Sequence, residues 1–162
     1  MISVTERGEF IRISEPEKGI WVLRLNRPEV MNAWHGPMRA ELAQIMNEIA
    51  TSDARVVIFQ GDDKSFSAGE DVRGMSGLTQ GGTKNFRAIA RQIHAAFDLI
   101  ESVEVPVIAA IEGVAAGGGM ELALSCDFRV LGRKARMGLP ESNVGLIPGS
   151  GGCSRLVRAV GS

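Results

Sequence analysis

The chain has 162 residues, 23 % of them charged, and a net charge of −1. This length suits about one domain, and the balanced, scattered charge excludes bulk attraction to nucleic acid. There is no run of about 18 apolar residues to span a membrane, and two cysteines are too few for a disulfide framework or a zinc cage.

The first part of the chain predicts a hairpin, a helix and a buried strand. Apolar and polar residues alternate over 8–14 and 19–26, with turn-forming residues 15–19 between them. Pro37 can open a helix, because proline is well tolerated at the first helical position. The apolar residues that follow at helical spacing are Met38, Leu42, Ile45, Met46 and Ile49. The β-branched run 55–60 predicts a buried strand.

Helices and strands then alternate around glycine-rich segments. Residues 61–83 are rich in glycine, serine, aspartate and threonine, which predicts a long loop of the kind that is often functional. We expect an amphipathic helix near 84–101 and a buried strand at 107–111. A glycine triplet at 117–119 precedes a short helical stretch at 120–125.

The last part of the chain contains one more strand and one more helix. A strand is predicted at 127–132, and a turn segment follows it as far as Pro140. A second glycine cluster at 148–152 precedes a final helix at 153–160. The alternation of strands and helices along the whole chain predicts an α/β fold.

Several common motifs are absent. A P-loop requires Gly-Lys-Ser/Thr, which does not occur, and the dinucleotide-binding glycine fingerprint is missing after the first strand. The two histidines, His35 and His94, lie far apart, and no metal-ligand spacing is present. The isolated cysteines suit a reducing compartment, and residues 1–10 contain neither a secretory core nor a presequence. We therefore expect a cytoplasmic protein.

Two glycine-rich loops each follow a buried strand. The first glycine loop, residues 65–71, reads SFSAGED, and the second glycine loop, residues 113–121, reads GVAAGGGME. Glycine lets a ligand approach the backbone closely, and a helix that starts after such a loop presents unpaired N–H groups. One N–H from each loop could bind a single oxygen and stabilise an enolate or a tetrahedral oxyanion. The alternative is that the glycines only let a helix pack tightly on a strand.

Two glutamates lie in apolar surroundings. Glu121 follows the glycine triplet, and Glu141 lies in the segment MGLPESNVGLIPG. A carboxylate in such surroundings tends to have a raised pKa, and two carboxylates that face one water can divide the roles of acid and base. The alternatives are that Glu121 only interacts with the helix dipole and that Glu141 is a solvated turn residue.

Together these residues resemble the crotonase superfamily, in particular enoyl-CoA hydratases, over almost the whole chain. Four motifs in the right order and at the right spacing make the resemblance specific. The matching segments are Leu25-Asn26-Arg27-Pro28, Asn32-Ala33, Phe66-Ser67-Ala68-Gly69-Glu70-Asp71, Ala116-Gly117-Gly118-Gly119-Met120-Glu121-Leu122-Ala123, Cys126-Asp127, Pro140-Glu141, Gly145, Pro148-Gly149 and Gly151-Gly152.

The resemblance implies a catalytic arrangement. The backbone N–H groups of Glu70 and Gly118 would form an oxyanion hole. Glu121 would activate the water added at the β-carbon, and Glu141 would deliver and remove the proton at the α-carbon. Gly149 matches a position whose backbone helps to hold this machinery in place.

The presence of both glutamates favours one reaction within the superfamily. Simple isomerases keep only one of them, so the pair favours hydration of a 2-enoyl-CoA to a 3-hydroxyacyl-CoA. The alternatives are another crotonase reaction, such as double-bond isomerisation, and a non-catalytic binding role, which includes RNA binding in some relatives. The balanced charge counts against nucleic acid.

Coenzyme A is expected as part of the acyl-CoA thioester substrate, without a separate cofactor and without a metal. The resemblance places contacts with it around two segments, which contain Val30, Met31 and Ala33, and Ala68, Asp71, Val72 and Arg73. Two positions depart from the family pattern. Glu29 stands where family members often have a basic residue that faces the phosphates of coenzyme A. Arg27 or Arg73 would then have to supply the positive charge. Glu70 stands where the residue is usually small, so its side chain must turn outward from the anionic cofactor.

The resemblance also implies a fold, a right-handed spiral of β-β-α turns. Residues 1–162 would form one spiral core domain. Members of the family usually continue well beyond this length into helices that close the acyl pocket and pack trimers. We therefore expect the C-terminal trimerisation helices to be missing here, the full-length form to be a trimer or hexamer of identical chains, and an exposed apolar patch around the final helix.

Overall fold

Strands and helices alternate along the chain in the computed structural model, which describes residues 7–73 and 82–161. The strands are β1 (Ile11–Glu17), β2 (Ile20–Leu25), β3 (Val56–Gln60), β4 (Ser65–Ser67), β5 (Val107–Ile111), β6 (Val114–Ala116), β7 (Phe128–Leu131) and β8 (Arg136–Gly138). The helices are α1 (Gly36–Ile49), α2 (Gly82–Ser102), α3 (Gly118–Ser125) and α4 (Gly152–Val160), and short 3-10 turns cover Pro28–Val30 and Glu141–Val144.

The strands form two sheets. A larger sheet has the order β1-β2-β3-β5-β7, in which only the β1–β2 pair is antiparallel. A smaller parallel sheet has the order β4-β6-β8. Each of β3, β5 and β7 is followed by a short strand of the smaller sheet and then by helical structure. This repeat is the succession of β-β-α turns that the resemblance implies.

The core lies between the larger sheet and the helices that pack on it. The predicted apolar face of α1 is buried along its whole length, at Met38, Leu42, Ile45, Met46 and Ile49. Val57 and Phe59 on β3 are fully buried in the same apolar core. Burial of one large apolar side chain stabilises a fold by about 1.5–3 kcal/mol, so this face contributes to holding α1 in place.

The prediction missed the smaller sheet. Its strands β4, β6 and β8 have only three residues each, and two of them lie inside segments interpreted as loops. So short a strand contains too little alternation to be distinguished from a glycine- or serine-rich loop. Residues 74–81 of the predicted loop 61–83 lie outside the described residues.

Several predicted boundaries were also wrong. β1 continues to Glu17 through an irregular register after Ser14, so most of the predicted turn 15–19 is strand. α3 begins at Gly118 rather than at residue 120. Glycine is a poor helix former, so propensity places the start of this helix too late.

The surface contains apolar side chains near the final helix, as expected. Val157 and Val160 on α4 are exposed, and so are Val144 and Ile147 in the segment before it. No helix within the described ranges is both long enough and apolar enough to cross a bilayer.

Candidate active site

The two glycine loops lie side by side because the strands that lead into them are paired. β4 and β6 are parallel neighbours, with Ser65 opposite Val114 and Ser67 opposite Ala115. Chains that leave parallel strands in the same direction emerge at the same edge of a sheet. The first and second glycine loops therefore meet where these strands end, as the argument from the two buried strands expects.

Close backbone approach explains why the two loops contain glycine. Gly69 has a φ of +96°, and a Cβ added there would lie 2.7 Å from the carbonyl oxygen of Ala116 and 3.0 Å from the amide nitrogen of Gly118. A Cβ added at Gly119 would lie 2.2 Å from the carbonyl oxygen of Ser67. Tight packing, the alternative considered for these glycines, is thus the role of Gly119.

Gly118 occupies a different position from its neighbour. A Cβ added at Gly118 would meet nothing closer than 3.6 Å, and the first atom it would meet is the amide nitrogen of Glu70. The amides of Glu70 and Gly118 therefore lie next to each other. Gly118 is also the first residue of α3, where backbone N–H groups have no helical partner and the helix dipole favours negative charge.

Glu121 is buried on the first turn of α3. Only 2 % of the residue is exposed, and its Oε1 accepts hydrogen bonds from the amides of Ser150 and Gly152 at 2.7 and 2.8 Å. Neither donor was predicted from the sequence. The signal was the glycine cluster before α4, because the start of a helix offers free N–H groups to an anion.

Glu141 is half-buried at the start of the 3-10 turn that follows β8. Its Oε1 lies 3.1 Å from the place that a Cβ on Gly117 would occupy. Its Oε2 is buried without a hydrogen-bond partner among the described residues. Burial raises the pKa of Glu141, and the nearby charge of Glu121 raises it further. The two glutamates are thus brought together around the second glycine loop.

Arg155 supports the segment that holds Glu121. It is 5 % exposed, and its Nη1 donates to the carbonyl oxygen of Ser150 at 2.6 Å. Its Nε and Nη2 donate to Glu101 and Asp98 on α2 at 2.8 Å each. The sequence analysis missed this residue, because no local spacing relates positions so far apart in the chain.

The Glu70 side chain is paired with Arg39 on α1. Arg39 Nη1 donates to both carboxylate oxygens, at 2.8 and 2.7 Å. Burial raises the pKa of Glu70, while the Arg39 charge opposes that rise. Arg39 is another residue that the sequence analysis missed.

The two segments expected to contact coenzyme A also lie together. The amide of Ala68 donates to Met31, and Arg27 donates to the carbonyl oxygen of Ala33 and to Asp71. Arg27 is largely buried by these bonds, whereas Arg73 is exposed while it bonds Asp71. This difference favours Arg73 over Arg27 as a contact for phosphates.

The remaining predicted site positions differ in exposure: Ala33 is buried, Val30 is half-buried, and Val72 and Gly149 are exposed.

The arrangement offers backbone N–H donors and carboxylates. Within the described part of the chain, no group of three histidine, cysteine, aspartate or glutamate side chains could hold a metal ion. Two adjacent amides can stabilise an oxyanion, and two carboxylates beside them can transfer protons.

Known proteins resemble this chain in sequence and in fold. A family model described as enoyl-CoA hydratase/isomerase matches residues 15–162. The crotonyl-CoA hydratase of Syntrophomonas wolfei subsp. wolfei is 40 % identical over 151 residues, which are 92 % of this chain and 57 % of that protein. The short-chain-enoyl-CoA hydratase of Clostridium acetobutylicum is 38 % identical over 151 residues, again 92 % and 57 %. This chain therefore spans little more than half the length of these two relatives.

A solved structure extends the resemblance to the fold. The crystal structure of an enoyl-CoA hydratase from Bacillus anthracis matches with a TM-score of 0.89 at 35 % identity, covering 95 % of this chain and 59 % of that one. This similarity confirms the predicted fold class. Given that and the match over residues 15–162, the chain belongs to the enoyl-CoA hydratase/isomerase family.

Proposed function

We propose that the protein containing this chain hydrates a 2-enoyl-CoA thioester to a 3-hydroxyacyl-CoA. The observation that carries the proposal is that Glu121 and Glu141 lie around the second glycine loop, which also contains one of the two adjacent amides, that of Gly118. The names of the two hydratase relatives support the same reaction.

The adjacent amides would act on the thioester oxygen. When a nucleophile adds to the β-carbon of a conjugated thioester, negative charge moves to that oxygen and an enolate forms. Two N–H donors that are already in place stabilise this charge without reorganisation, and loss of one such donor costs about 10²–10³-fold in rate in other enzymes. The start of α3 adds a favourable dipole at the same point.

The two glutamates would divide the proton transfers. Glu121, as the carboxylate, takes a proton from water while the hydroxide oxygen bonds to the β-carbon. Glu141, as the carboxylic acid, then gives its proton to the α-carbon, and the enolate collapses to the thioester. The cycle closes when the proton taken by Glu121 returns to Glu141, so the net change is the addition of one water.

The surroundings of each glutamate suit its role. The amides of Ser150 and Gly152 bind one oxygen of Glu121 and stabilise the ionised form that a base requires. Burial raises the pKa of Glu141 and so favours the protonated form that an acid requires.

The substrate and the assembly follow from the family as further proposals. The segments around Val30 and Ala33 and around Ala68, Asp71 and Arg73 would hold the coenzyme A part of the thioester, and no separate cofactor is needed. The complete protein would be a cytoplasmic homo-oligomer, a trimer or hexamer. The free state of Cys126 and Cys153 agrees with a reducing compartment.

Glu121→Gln in the full-length protein tests the proposal. Glutamine keeps an oxygen to accept the two amide bonds but cannot take a proton. We expect the rate of crotonyl-CoA hydration, followed by loss of the enoyl-thioester absorbance, to fall by about 10²–10⁴-fold. Glu104→Gln, at an exposed position away from the site, is the matched control.

The same variant separates hydration from isomerisation. Double-bond isomerisation needs only one carboxylate to move a proton between carbons, and Glu141, whose Oε2 has no partner among the described residues, suits that step. If wild-type protein isomerises a 3-enoyl-CoA but does not hydrate crotonyl-CoA, and Glu121→Gln retains the isomerisation rate, the hydratase assignment is wrong.

A further inference from the structure

The Glu70 carboxylate is an unusual group to find beside an oxyanion hole. Its own amide is one of the two N–H groups proposed to bind the thioester oxygen, so the carboxylate lies within one side-chain length of the developing negative charge. Its side chain is 31 % exposed, so water screens the charge only in part. Unless it is compensated, this charge would oppose the charge that the hole has to stabilise.

Arg39 supplies a compensating positive charge. The Arg39 guanidinium reaches Glu70 from α1, and a single nitrogen, Nη1, contacts both carboxylate oxygens. The Arg39 side chain is only 12 % exposed, so bulk salt has little access to the pair. The backbone holds the two elements in register, because Trp34, just before α1, bonds the amide and carbonyl groups that flank Glu70.

Two other described groups that act on Glu70 are negatively charged. Asp71 in the same loop and Glu121 on α3 both raise the pKa of Glu70, and burial raises it further. Among the described groups that act on this pKa, Arg39 lowers it, by its charge and by its hydrogen bonds. Removal of Arg39 would therefore leave the Glu70 carboxylate beside the hole without this ion pair, while Asp71 keeps its pairs with Arg27 and Arg73.

From this geometry we infer that Arg39 is a positioning and charge-neutralising residue for the oxyanion hole, needed because this chain has glutamate at position 70. The inference rests on the proposed function. Arg39 acts through Glu70 and not on the substrate, so its importance depends on the Glu70 carboxylate. Without that carboxylate, Arg39 has no charge beside the hole to neutralise.

A double-mutant cycle in the full-length protein tests this dependence. We expect Arg39→Met to lower kcat for crotonyl-CoA hydration by about ten-fold or more at pH 8, because an ionised Glu70 then faces the enolate. The loss should shrink at lower pH, where Glu70 takes up a proton. Arg39→Met combined with Glu70→Ala should recover at least about ten-fold over Arg39→Met, without that pH dependence.

A matched control separates this effect from general disruption of α1. Arg7→Met removes another arginine that pairs with a glutamate on α1, Glu48, far from the site. We expect it to leave kcat unchanged. If the double variant is as slow as Arg39→Met, the carboxylate is not the cause of the loss and the inference is wrong.

A binding measurement distinguishes failure of the inference from failure of the proposed function. Acetoacetyl-CoA, a thioester with an acidic α-carbon, should absorb as its enolate when bound to the hole. We expect about ten-fold less enolate at a given pH in Arg39→Met and recovery in the double variant.

That pattern of enolate absorbance in a protein that hydrates no enoyl-CoA would overturn the proposed function alone. Normal hydration with the same enolate fraction in all variants, or no enolate absorbance in wild-type protein, would overturn the inference.

Discussion

The two glycine loops place their amides side by side but are held by different forces. Polar side chains add to the backbone bonds that hold the first glycine loop: the amide of Trp34 donates to Gly69, the amide of Asp71 donates to Trp34, and the Arg27 side chain pairs with Asp71. The backbone holds the second glycine loop, in which the Gly117 amide donates to Gly138 on β8 and Gly119 packs against Ser67.

This difference predicts two kinds of sensitivity. A loop held by polar side chains fails when a partner is removed, because buried donors or acceptors are left without hydrogen bonds. A loop held by backbone contact fails when an atom is added, because close-packed interiors have no space to accept it. We expect deletion of polar side chains to affect mainly the first glycine loop, and addition of atoms to affect the close contacts of the second loop, together with Gly69 where the two loops meet.

Of the variants compared below, the largest stability effect is expected from Gly119→Ala in the second glycine loop. Its Cβ would lie 2.2 Å from the carbonyl oxygen of Ser67, so the two loops must move apart. Overpacking of this kind costs about 1–3 kcal/mol or more, which exceeds the gain of about 1 kcal/mol from placing alanine in a helix. Urea denaturation measures the difference.

Gly118→Ala is the matched variant one residue away. Its Cβ would meet Glu70 N at 3.6 Å, an ordinary contact, so we expect stability within about 1 kcal/mol of the wild type. The same methyl group would occupy space beside the proposed oxyanion hole, so kcat should fall by about 10²-fold. Equal losses of stability in the two variants would contradict the distinction between packing and site glycines.

The next prediction concerns Asn32 and tests whether loss of a polar side chain destabilises the first glycine loop. This residue is fully buried, its Oδ1 accepts from the Arg27 amide, and its Nδ2 donates to Asp62 and to the carbonyl oxygen of Ser65. Asn32→Ala leaves these groups unpaired and places alanine at a φ of +56°, which asparagine tolerates better.

We expect this variant to lose about 1–3 kcal/mol of unfolding free energy in a urea titration. Asn47→Ala, on the exposed side of α1, is the control and should be as stable as wild type or slightly more so. A stable Asn32→Ala would show that polar side chains are not what holds the first glycine loop.

Features that depend on residues close together in the sequence could be predicted from the sequence. The periodicity of α1 identified all five of its buried side chains, and the glycine loops indicated where two amides would meet. The apolar neighbours of Glu121 predicted its burial. The three-residue strands of the smaller sheet were missed, because pairing with neighbours, and not their own composition, makes them strands.

Contacts across the chain could not be predicted in the same way. Arg39 meets Glu70 across 31 positions, and Arg155 meets Asp98 across 57. Each pair depends on how α1 or α4 docks on its neighbours, and no single-sequence spacing records that. The resemblance to a family supplied the roles of Glu121 and Glu141, but it could not supply partners for Glu70, where this chain departs from the family pattern.

The smallest expected effect is on the pKa of Glu141, and it tests which of the two glycine loops influences that pKa. Burial is the main cause of its raised pKa, and the negative charge of Glu121, at the end of the second glycine loop, adds to it. The charge of Glu70, in the first glycine loop, is not among the causes. Removal of a negative neighbour favours the ionised form, so Glu121→Gln should lower the pKa of Glu141 while Glu70→Gln leaves it unchanged.

Carbon-13 NMR titration of the Glu141 carboxyl group in free protein measures this pKa directly. Because folding raises it, folded protein binds more protons at this site than unfolded protein, and the stability contributed there is lost as pH rises through the folded pKa. Glu121→Gln should move that loss to lower pH. In wild-type enzyme the same titration should set the alkaline limb of kcat/KM, since the acid must be protonated to serve the α-carbon. An equal shift in Glu70→Gln would mean that both loops act on Glu141 and that the two regions are not electrostatically separate.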